Sequence, residues 1–324
     1  MEKKRIIIYV ALAYGLAWAL WFAVVYPMVN AGGGLGTSVQ FAIAAGMFAP
    51  AIAAALTRLI TKEGFKDAWI KPRAFKKTWR YYVLAWFGPL VLVIAGAVLY
   101  FLINPADFDP SMSYVIQATH EQAEAMGVEL AIDDETIRLS QYASLATLVI
   151  APAINAVTCF GEEWGWRGYL LPHLLERFSI IPTLLISGII WGLWHAPITL
   201  IGHNYGLGYA GYPFTGIAAM CLFCIEICVF MSYVTLRTGS CLPAVFAHGM
   251  VNGSAAMGLI FSATGGNPFV GPTPTGIVGG AFFIVAAIFM VRDLMRRGWK
   301  LPKEDKPAKS SKAAKPKDPK GARA

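Results

Sequence analysis

Two adjacent glutamates and an arginine stand in a strongly apolar part of the chain, in the pattern Glu162-Glu163-x-x-x-Arg167. Ionisable groups are costly in an apolar environment, so each one indicates a function. On a helix Glu163 and Arg167 share a face and can pair, whereas Glu162 is rotated from Glu163 by about 100°. The pattern predicts that Glu162 is the unpaired carboxylate, suited to act as a general base. The alternative is that both acids cap or anchor a helix at the membrane interface.

A second candidate group is Trp191-x-x-x-His195, in an apolar segment that starts near Ile180. The turn before this segment falls near residues 178 and 179, and Glu162 and His195 each lie about 16 residues from it. An antiparallel helical hairpin would hold both side chains about 24 Å from its tip. Trp191 would then pack against the imidazole of His195 and limit the access of water. The alternative is a histidine that only fills space.

A third group is His248-x-x-x-Asn252, whose spacing puts an imidazole and an amide on one helical face. Together the three groups supply two histidines, a free carboxylate and an amide from three helices. Such a set forms either a site that activates water for hydrolysis or a metal site. Two histidines and a glutamate with one open position are a known catalytic zinc set, which here would be Glu162, His195 and His248.

The composition shows what must position these residues. The chain has 324 residues, 56% hydrophobic and 14% charged, against about 25% charged in ordinary soluble domains. This excludes a soluble enzyme. A membrane-spanning helix needs about 20 mainly apolar residues. Such segments predict an all-α, polytopic membrane protein with about eight transmembrane helices, near residues 6–28, 39–60, 81–103, 140–160, 180–201, 217–236, 241–262 and 276–291. The first segment starts like a signal peptide but has no clear cleavage site, which predicts a retained helix.

The distribution of charge predicts the orientation in the membrane. Residues 58–80 hold eight lysines and arginines, whereas residues 104–138 are acidic, with Arg138 as the one basic residue. Basic loops stay in the cytoplasm, so the pattern predicts a multi-pass protein of the cell membrane with both termini cytoplasmic. The net charge of +8 comes from the segment after residue 291. It indicates a membrane surface as the partner and not a nucleic acid.

The predicted organisation is a transmembrane domain over residues 1–300, with the motif core at 140–262, and a disordered polybasic cytoplasmic tail at 301–324. The tail has few large apolar residues and cannot form a core. It is either simply solvated or bound to anionic membrane lipids. The apolar stretch 140–175 is too long for one straight span, which predicts a bend at Pro152 or Gly161, or a strongly tilted helix.

The three motifs, in this order on successive apolar segments, resemble the CPBP family of CAAX prenyl endopeptidases and bacteriocin-processing enzymes, also called Abi proteins. The resemblance covers about residues 140–262, and one departure is Trp191, where the family more often has phenylalanine. It implies a hydrolase, an intramembrane protease that cleaves a peptide or a lipidated protein substrate such as a prenylated Cys-a-a-X tail.

The resemblance also implies roles for the motif residues. Glu162 and His195 would activate a water, His248 and Asn252 would stabilise the oxyanion, and Glu163 and Arg167 would support the motif helix. The family was long described as metalloproteases, but the first glutamate can act as a base without a metal. The expectation is no cofactor, with Zn²⁺ as the alternative.

Residues outside the motifs have simpler expected roles. A cysteine stripe at Cys221, Cys224 and Cys228 should pack as small apolar groups. Glu226 would pair with Arg167, line the substrate cavity or bond to a neighbouring helix. The expected position of His203 is a solvated loop, and that of His173 is the membrane interface. A transporter or channel, or a non-catalytic scaffold that keeps the same fold, are the competing classes of protein.

Overall fold

A computed structural model describes residues 2–125 and 127–299 of the chain. The predicted disordered tail, 301–324, lies outside these residues. The described part consists of helices and loops, with β-structure limited to two isolated bridges. Its principal helices are α1 Glu2–Gly32, α2 Thr37–Ile60, α3 Phe75–Ile103, α4 Ser113–Ala125, α5 Asp134–Ile154, α6 Ala156–Gly165, α7 Ile180–Trp194, α8 Phe214–Thr238, α9 Leu242–Ser254 and α10 Ala281–Arg297.

The predicted class of fold, an all-helical multi-pass membrane protein, is confirmed. Six segments of the described chain are long and apolar enough to cross a membrane, and they include α1, α2, α3, α5 and α8. The sixth comprises α9 and the 3₁₀ turn after it, over Leu242–Phe261. The remaining two predicted segments correspond to α7 and α10. The predicted number of about eight is therefore roughly compatible with the fold.

Helix α7 is shorter than the predicted span 180–201. It ends at Trp194, and a separate turn follows at Ala196–Thr199. Pro197 explains the break, because proline has no N–H to donate and its ring clashes with the preceding turn. With 15 residues α7 is about 22 Å long, less than the bilayer core. The break places His195 at the end of the helix instead of inside it.

The helix in the long apolar stretch 140–175 is interrupted close to Pro152, one of the two predicted break points, and not at Gly161. The helix changes to a 3₁₀ turn at Leu148–Ile150, just before Pro152, and is interrupted again at Asn155. Gly161 lies inside α6, where a Cβ atom would come within 2.7 Å of the carbonyl oxygen of Met47. The glycine therefore lets α6 approach α2 closely. The chain continues from α6 through a π turn at Trp166–Leu170 to a last turn at Leu171–Leu175.

The acidic segment 104–138 is more structured than a loop, and the span after it begins earlier than predicted. It contains α4 and the start of α5, whose N-terminus is capped by Asp133 through a 2.9 Å hydrogen bond from the backbone N–H of Thr136. At the other end of the chain α10 begins at Ala281, after a loop rich in glycine and proline, and not near residue 276.

A buried carboxylate joins the end of α3 to the loop after α9. Asp107 accepts hydrogen bonds from the hydroxyls of Tyr100, Ser262 and Thr264 and from the backbone N–H of Thr264, at 2.7 to 2.9 Å. Burial opposes the ionised form, but the hydrogen bonds from Thr264, Ser262 and Tyr100 lower the pKa of Asp107 below its ordinary value. The ionised carboxylate thus fixes the loop that begins at residue 262.

The substitution Asp107→Asn tests this role. It keeps the size of the side chain but turns one acceptor into a donor, so a buried hydroxyl loses its partner, at a cost of about 1 to 3 kcal/mol at neutral pH. A lowered pKa means that the stabilisation is present above the ordinary aspartate value and is lost in acid. The difference in Tm between wild type and variant should therefore shrink as the pH falls below about 4.

The measurement is thermal unfolding of the detergent-solubilised protein at neutral pH and near pH 3. Asp133→Asn is the matched control, because Asp133 is exposed and asparagine caps a helix N-terminus about as well as aspartate does. A Tm difference for Asp107→Asn that is the same at both pH values would contradict the proposed contribution of the ionised carboxylate.

Candidate active site

The first motif places two carboxylates and a guanidinium in the interior of the protein. Glu162, Glu163 and Arg167 are 3%, 0% and 0% exposed. Oε1 of Glu163 lies 3.0 Å from Nη1 of Arg167, which is the pair that the spacing predicts. The guanidinium carbon also lies 4.3 Å from the centre of the Trp191 ring, so a cation–π contact adds to the ion pair.

The carboxylate of Glu163 has a second partner on another helix. Nδ1 of His248, on α9, lies 3.0 Å from the same oxygen of Glu163 that contacts Arg167. Because a carboxylate only accepts, Nδ1 is the protonated nitrogen of this imidazole. The sequence predicted that Glu163 supports one helix, whereas its carboxylate joins α6 to α9.

Glu162 does not form an ion pair, but it is not unpartnered. Its Oε2 accepts hydrogen bonds from the indole N–H groups of Trp166, at 3.1 Å, and Trp191, at 2.7 Å. This corrects the expectation of a free carboxylate. The two indoles hold one oxygen, and Oε1 accepts from no residue that the structure describes. The sequence indicated one of these donors, because Trp166 follows Glu162 by one helical turn.

His195 has a defined tautomer. Its Nδ1 lies 2.8 Å from the backbone carbonyl oxygen of Trp191, which can only accept, so Nδ1 carries the proton. Nε2 therefore keeps its lone pair. The ring packs edge-on against Trp194 with the centroids 4.9 Å apart, and it is 5.9 Å from the ring of Trp191. The predicted packing of Trp191 against His195 is thus present.

The helices approach closely around these residues because small residues occupy the contacts. A Cβ atom at Gly192 of α7 would lie 2.5 Å from the Cα atom of Cys221 on α8. Gly188 has the same relation to Ile225. The two glycines allow α7 to pack directly on the backbone of α8, which positions the end of α7 and His195.

The structure places the four predicted catalytic residues around one cavity of about 140 Å³. Glu162, His195, His248 and Asn252 all line it. Asn252 is exposed, and its amide makes one weak contact, 3.7 Å from Sγ of Cys159. Apolar and aromatic side chains complete the walls: Trp21, Ile43, Met47, Trp191, Trp194, Ile198, Met220, Phe223, Ile227, Val251 and Ala255.

Three further residues line this cavity, and the sequence analysis had not placed them there. They are His203, Asn204 and Thr275. The prediction of a solvated His203 is wrong, because the side chain faces the cavity and is only partly exposed. No spacing in the sequence links these residues to the motifs.

Glu226 and the three cysteines of α8 are not among the predicted catalytic residues. Glu226 does not pair with Arg167 and does not line the cavity; its carboxylate lies beside Gly280, in the loop before α10. Cys224 and Cys228 are buried and Cys221 half-buried, with free thiols. Sγ of Cys224 lies 3.9 Å from Nδ1 of His195, so the cysteine packs next to the site.

His173 belongs to a network of charged groups around the N-terminus. It contacts Glu2 at 2.5 Å and Glu63 at 3.4 Å, and Glu63 also accepts a hydrogen bond from Tyr169 at 2.8 Å. Arg5 contacts both glutamates. The sequence predicted an interfacial position for His173 but did not indicate this network, because its members are far apart in the chain.

The three ligands of the metal alternative, Glu162, His195 and His248, do not form a group of ligand atoms within 4.8 Å of one another. In the part of the chain that the structure describes, one group of histidine and carboxylate atoms lies within 4.8 Å, and it is Glu2, His173 and Glu176. At the cavity each predicted ligand has one atom hydrogen-bonded to protein.

These observations define a multi-pass helical membrane protein with a cavity lined by residues of six helices, among them the polar side chains of the three motifs. A family model described as Type II CAAX prenyl endopeptidase Rce1-like matches residues 144–254, which include all seven residues of the three motifs. The match supports the predicted resemblance to the CAAX protease family over this segment of the chain.

A curated relative agrees with this assignment over a short region. The CAAX prenyl protease 2 of Methanococcus maripaludis is 41% identical over 44 residues, which are 14% of this chain and 16% of that protein. The match thus spans about one sixth of the relative's length.

The contacts of Glu163 and Glu162 lead to different expectations for two substitutions. Arg167→Ala leaves a buried carboxylate without its cation, which costs about 3 to 5 kcal/mol, so the amount of folded protein should fall. Glu162→Gln keeps an oxygen that can accept from both indoles and should preserve folding. The measurement is the monodisperse fraction and Tm after solubilisation in detergent. Equal loss in the two variants would refute this division of roles.

Proposed function

We propose that the protein is an intramembrane endopeptidase that hydrolyses peptide bonds of membrane-associated substrates without a metal. The observation that carries the proposal is the meeting of Glu162, His195, His248 and Asn252 around one cavity. A carboxylate, an imidazole lone pair and an amide donor in one enclosed space are the groups that hydrolysis by activated water requires.

Glu162 and His195 are the proposed water-activating pair. The free Oε1 of Glu162 accepts a proton from water, and the Nε2 lone pair of His195 orients the same water. The oxygen then attacks the scissile carbonyl carbon and gives a tetrahedral intermediate. The C–N bond breaks as the proton held by Glu162 passes to the leaving amine. The two indole N–H groups on Oε2 keep the carboxylate in position throughout.

His248 and Asn252 are the proposed oxyanion donors. Asn252 offers an amide N–H, and its one protein contact is a weak one to sulfur. His248 donates Nδ1–H to Glu163, so it has a second N–H to give only as the imidazolium. The buried carboxylate of Glu163 stabilises that charged form. Glu163 is thus a positioning residue that acts through His248.

The proposed substrate is a lipidated protein or peptide, such as a prenylated C-terminal tail. The relative from Methanococcus maripaludis is named a CAAX prenyl protease. The apolar and aromatic walls of the cavity suit an apolar peptide segment. We further propose a cell-membrane location with both termini cytoplasmic and the cavity reached from that side, on the basis of the basic residues at 58–80.

The direct test compares cells that express wild type or Glu162→Gln. Peptides released in membranes of the wild type and absent with the variant would identify the substrates. The purified wild type should cleave a synthetic peptide that reproduces such a site, whereas Glu162→Gln and His195→Ala should lose at least about 10³-fold in kcat.

Glu226→Gln is the matched control, because Glu226 is also an acid in a membrane helix but lies outside the cavity. It should retain wild-type cleavage. Ion flux or uptake that depends on Glu226 and survives Glu162→Gln would indicate a transporter. Unchanged cellular function in both Glu162→Gln and His195→Ala, with folded protein, would indicate a scaffold.

Asn252→Ala separates oxyanion stabilisation from substrate binding. Loss of one donor that acts in the transition state should lower kcat by about 10²- to 10³-fold with little change in KM. The measurement is steady-state cleavage of the synthetic peptide at several concentrations. A higher KM with unchanged kcat would instead assign Asn252 to ground-state binding.

A further inference from the structure

The loop between α7 and α8 turns His203 into the cavity. Gly202 and Asn204, on either side of it, have φ angles of 88° and 67°, in the left-handed region that lets a chain reverse direction. The backbone N–H of His203 donates to the carbonyl oxygen of Ile198 at 3.1 Å. The backbone of His203 is therefore fixed at the point where its side chain faces the cavity.

A second loop, from residue 262 to 280, closes on the first. The hydroxyl of Tyr205 donates to the carbonyl oxygen of Thr275 at 3.3 Å, and its ring stacks on Phe269 with the centroids 5.0 Å apart. The contact brings Thr275 to the same part of the cavity wall as His203 and Asn204. We call these three residues the end cluster.

The lining residues show where the end cluster lies relative to the proposed catalytic groups. On α9 the lining runs from His248 through Asn252 to Ala255, toward the loop that carries Thr275. On α8 it runs from Ile227 to Met220, toward the loop that carries His203. The end cluster therefore lies beyond Glu162, His248 and Asn252, next to His195 at the loop end of the cavity.

The end cluster offers hydrogen-bond donors without any acidic neighbour. Neither ring nitrogen of His203 bonds to a described residue. The amide nitrogen of Asn204 contacts a weak acceptor, Sδ of Met220, at 3.5 Å, and the hydroxyl of Thr275 shares a 2.8 Å hydrogen bond with Thr273. Among the described residues that line the cavity, the one acid is Glu162. Imidazole, amide and hydroxyl donors at one end of a cavity whose walls are otherwise largely apolar favour an anion.

Resting on the proposed function, we propose that the end cluster binds the free carboxylate at the C-terminus of the substrate. The substrate would then lie with its last residues at the loop end and its scissile bond at Glu162 and His195. Specificity follows from this position, because cleavage would occur a short, fixed distance from the C-terminus and not at an internal site.

The ionisation of His203 is compatible with this role. Burial lowers the pKa of His203 to about 4, so the imidazole is neutral near pH 7. A substrate carboxylate next to the ring favours the protonated form, which converts a neutral hydrogen bond into a charge-assisted one. The neutral form still donates one N–H to the carboxylate.

The test uses two synthetic peptides that differ only at the C-terminus, one a free acid and the other an amide. Wild type should prefer the acid by about 10- to 100-fold in kcat/KM, as expected for a charge-assisted hydrogen bond. His203→Ala should bring this ratio close to one, mainly by slowing cleavage of the acid. His120→Ala, which changes an exposed histidine far from the cavity, should keep the wild-type ratio.

Two results would overturn the proposal. One is a wild type that does not distinguish the acid from the amide. The other is a His203→Ala variant that slows both peptides by the same factor, which would assign His203 to the structure of the loop or to the peptide backbone.

A binding measurement separates this proposal from the proposed function. Fluorescence anisotropy measures the Kd of the labelled acid peptide and of the labelled amide peptide for the Glu162→Gln variant. The preference for the acid is the ratio of these two Kd values. Adding His203→Ala to the Glu162→Gln variant should reduce that preference. If wild type cleaves neither peptide but this ratio behaves as expected, the carboxylate site stands and the protease proposal fails. An unchanged ratio overturns the carboxylate site alone.

Discussion

The arrangement of the site depends on one buried charge, the carboxylate of Glu163. It is fully enclosed, and an isolated ion in such a place would be prohibitively unstable. Its contacts with Arg167 on one side and His248 on the other offset that cost. Because these partners come from different parts of the chain, the requirement to pair the charge also sets the distance between α6 and α9. The cavity lined by these two helices therefore depends on the distance that the buried ion pair sets between them.

Trp191 transmits this constraint to the other residues of the site. Its ring contacts both the guanidinium of Arg167, at 4.3 Å, and the imidazole of His248, at 5.3 Å. Its indole N–H holds Glu162, and its carbonyl oxygen sets the tautomer of His195. A phenylalanine here could keep the ring contacts and the backbone hydrogen bond but not the bond to Glu162. In this protein the tryptophan therefore adds a restraint on the proposed base.

The sequence predicted more of the site than of its surroundings. Helical periodicity is local, so the spacing of four residues was sufficient to place Glu163 with Arg167 and His248 with Asn252. The apolar segments located the spans. Average hydropathy does not show where a helix ends or is interrupted, so it did not predict the end of α7 before Pro197. For the same reason it did not predict the 3₁₀ turn at Leu148–Ile150 before α6. His203 could not be predicted, because its position follows from two positive φ angles and from a second loop that closes on the first.

The two glutamates divide the cost and the use of buried charge between them. Glu163 faces Arg167 and His248 and does not line the cavity, so its charge is compensated within the protein. Glu162 does line the cavity and receives only neutral indole donors, which hold the carboxylate without a cation. A cation at Glu162 would compete with water for the carboxylate and weaken it as a base. Adjacent residues on one helix can thus serve opposite purposes, because a rotation of about 100° separates an enclosed structural ion pair from a group that remains available to water.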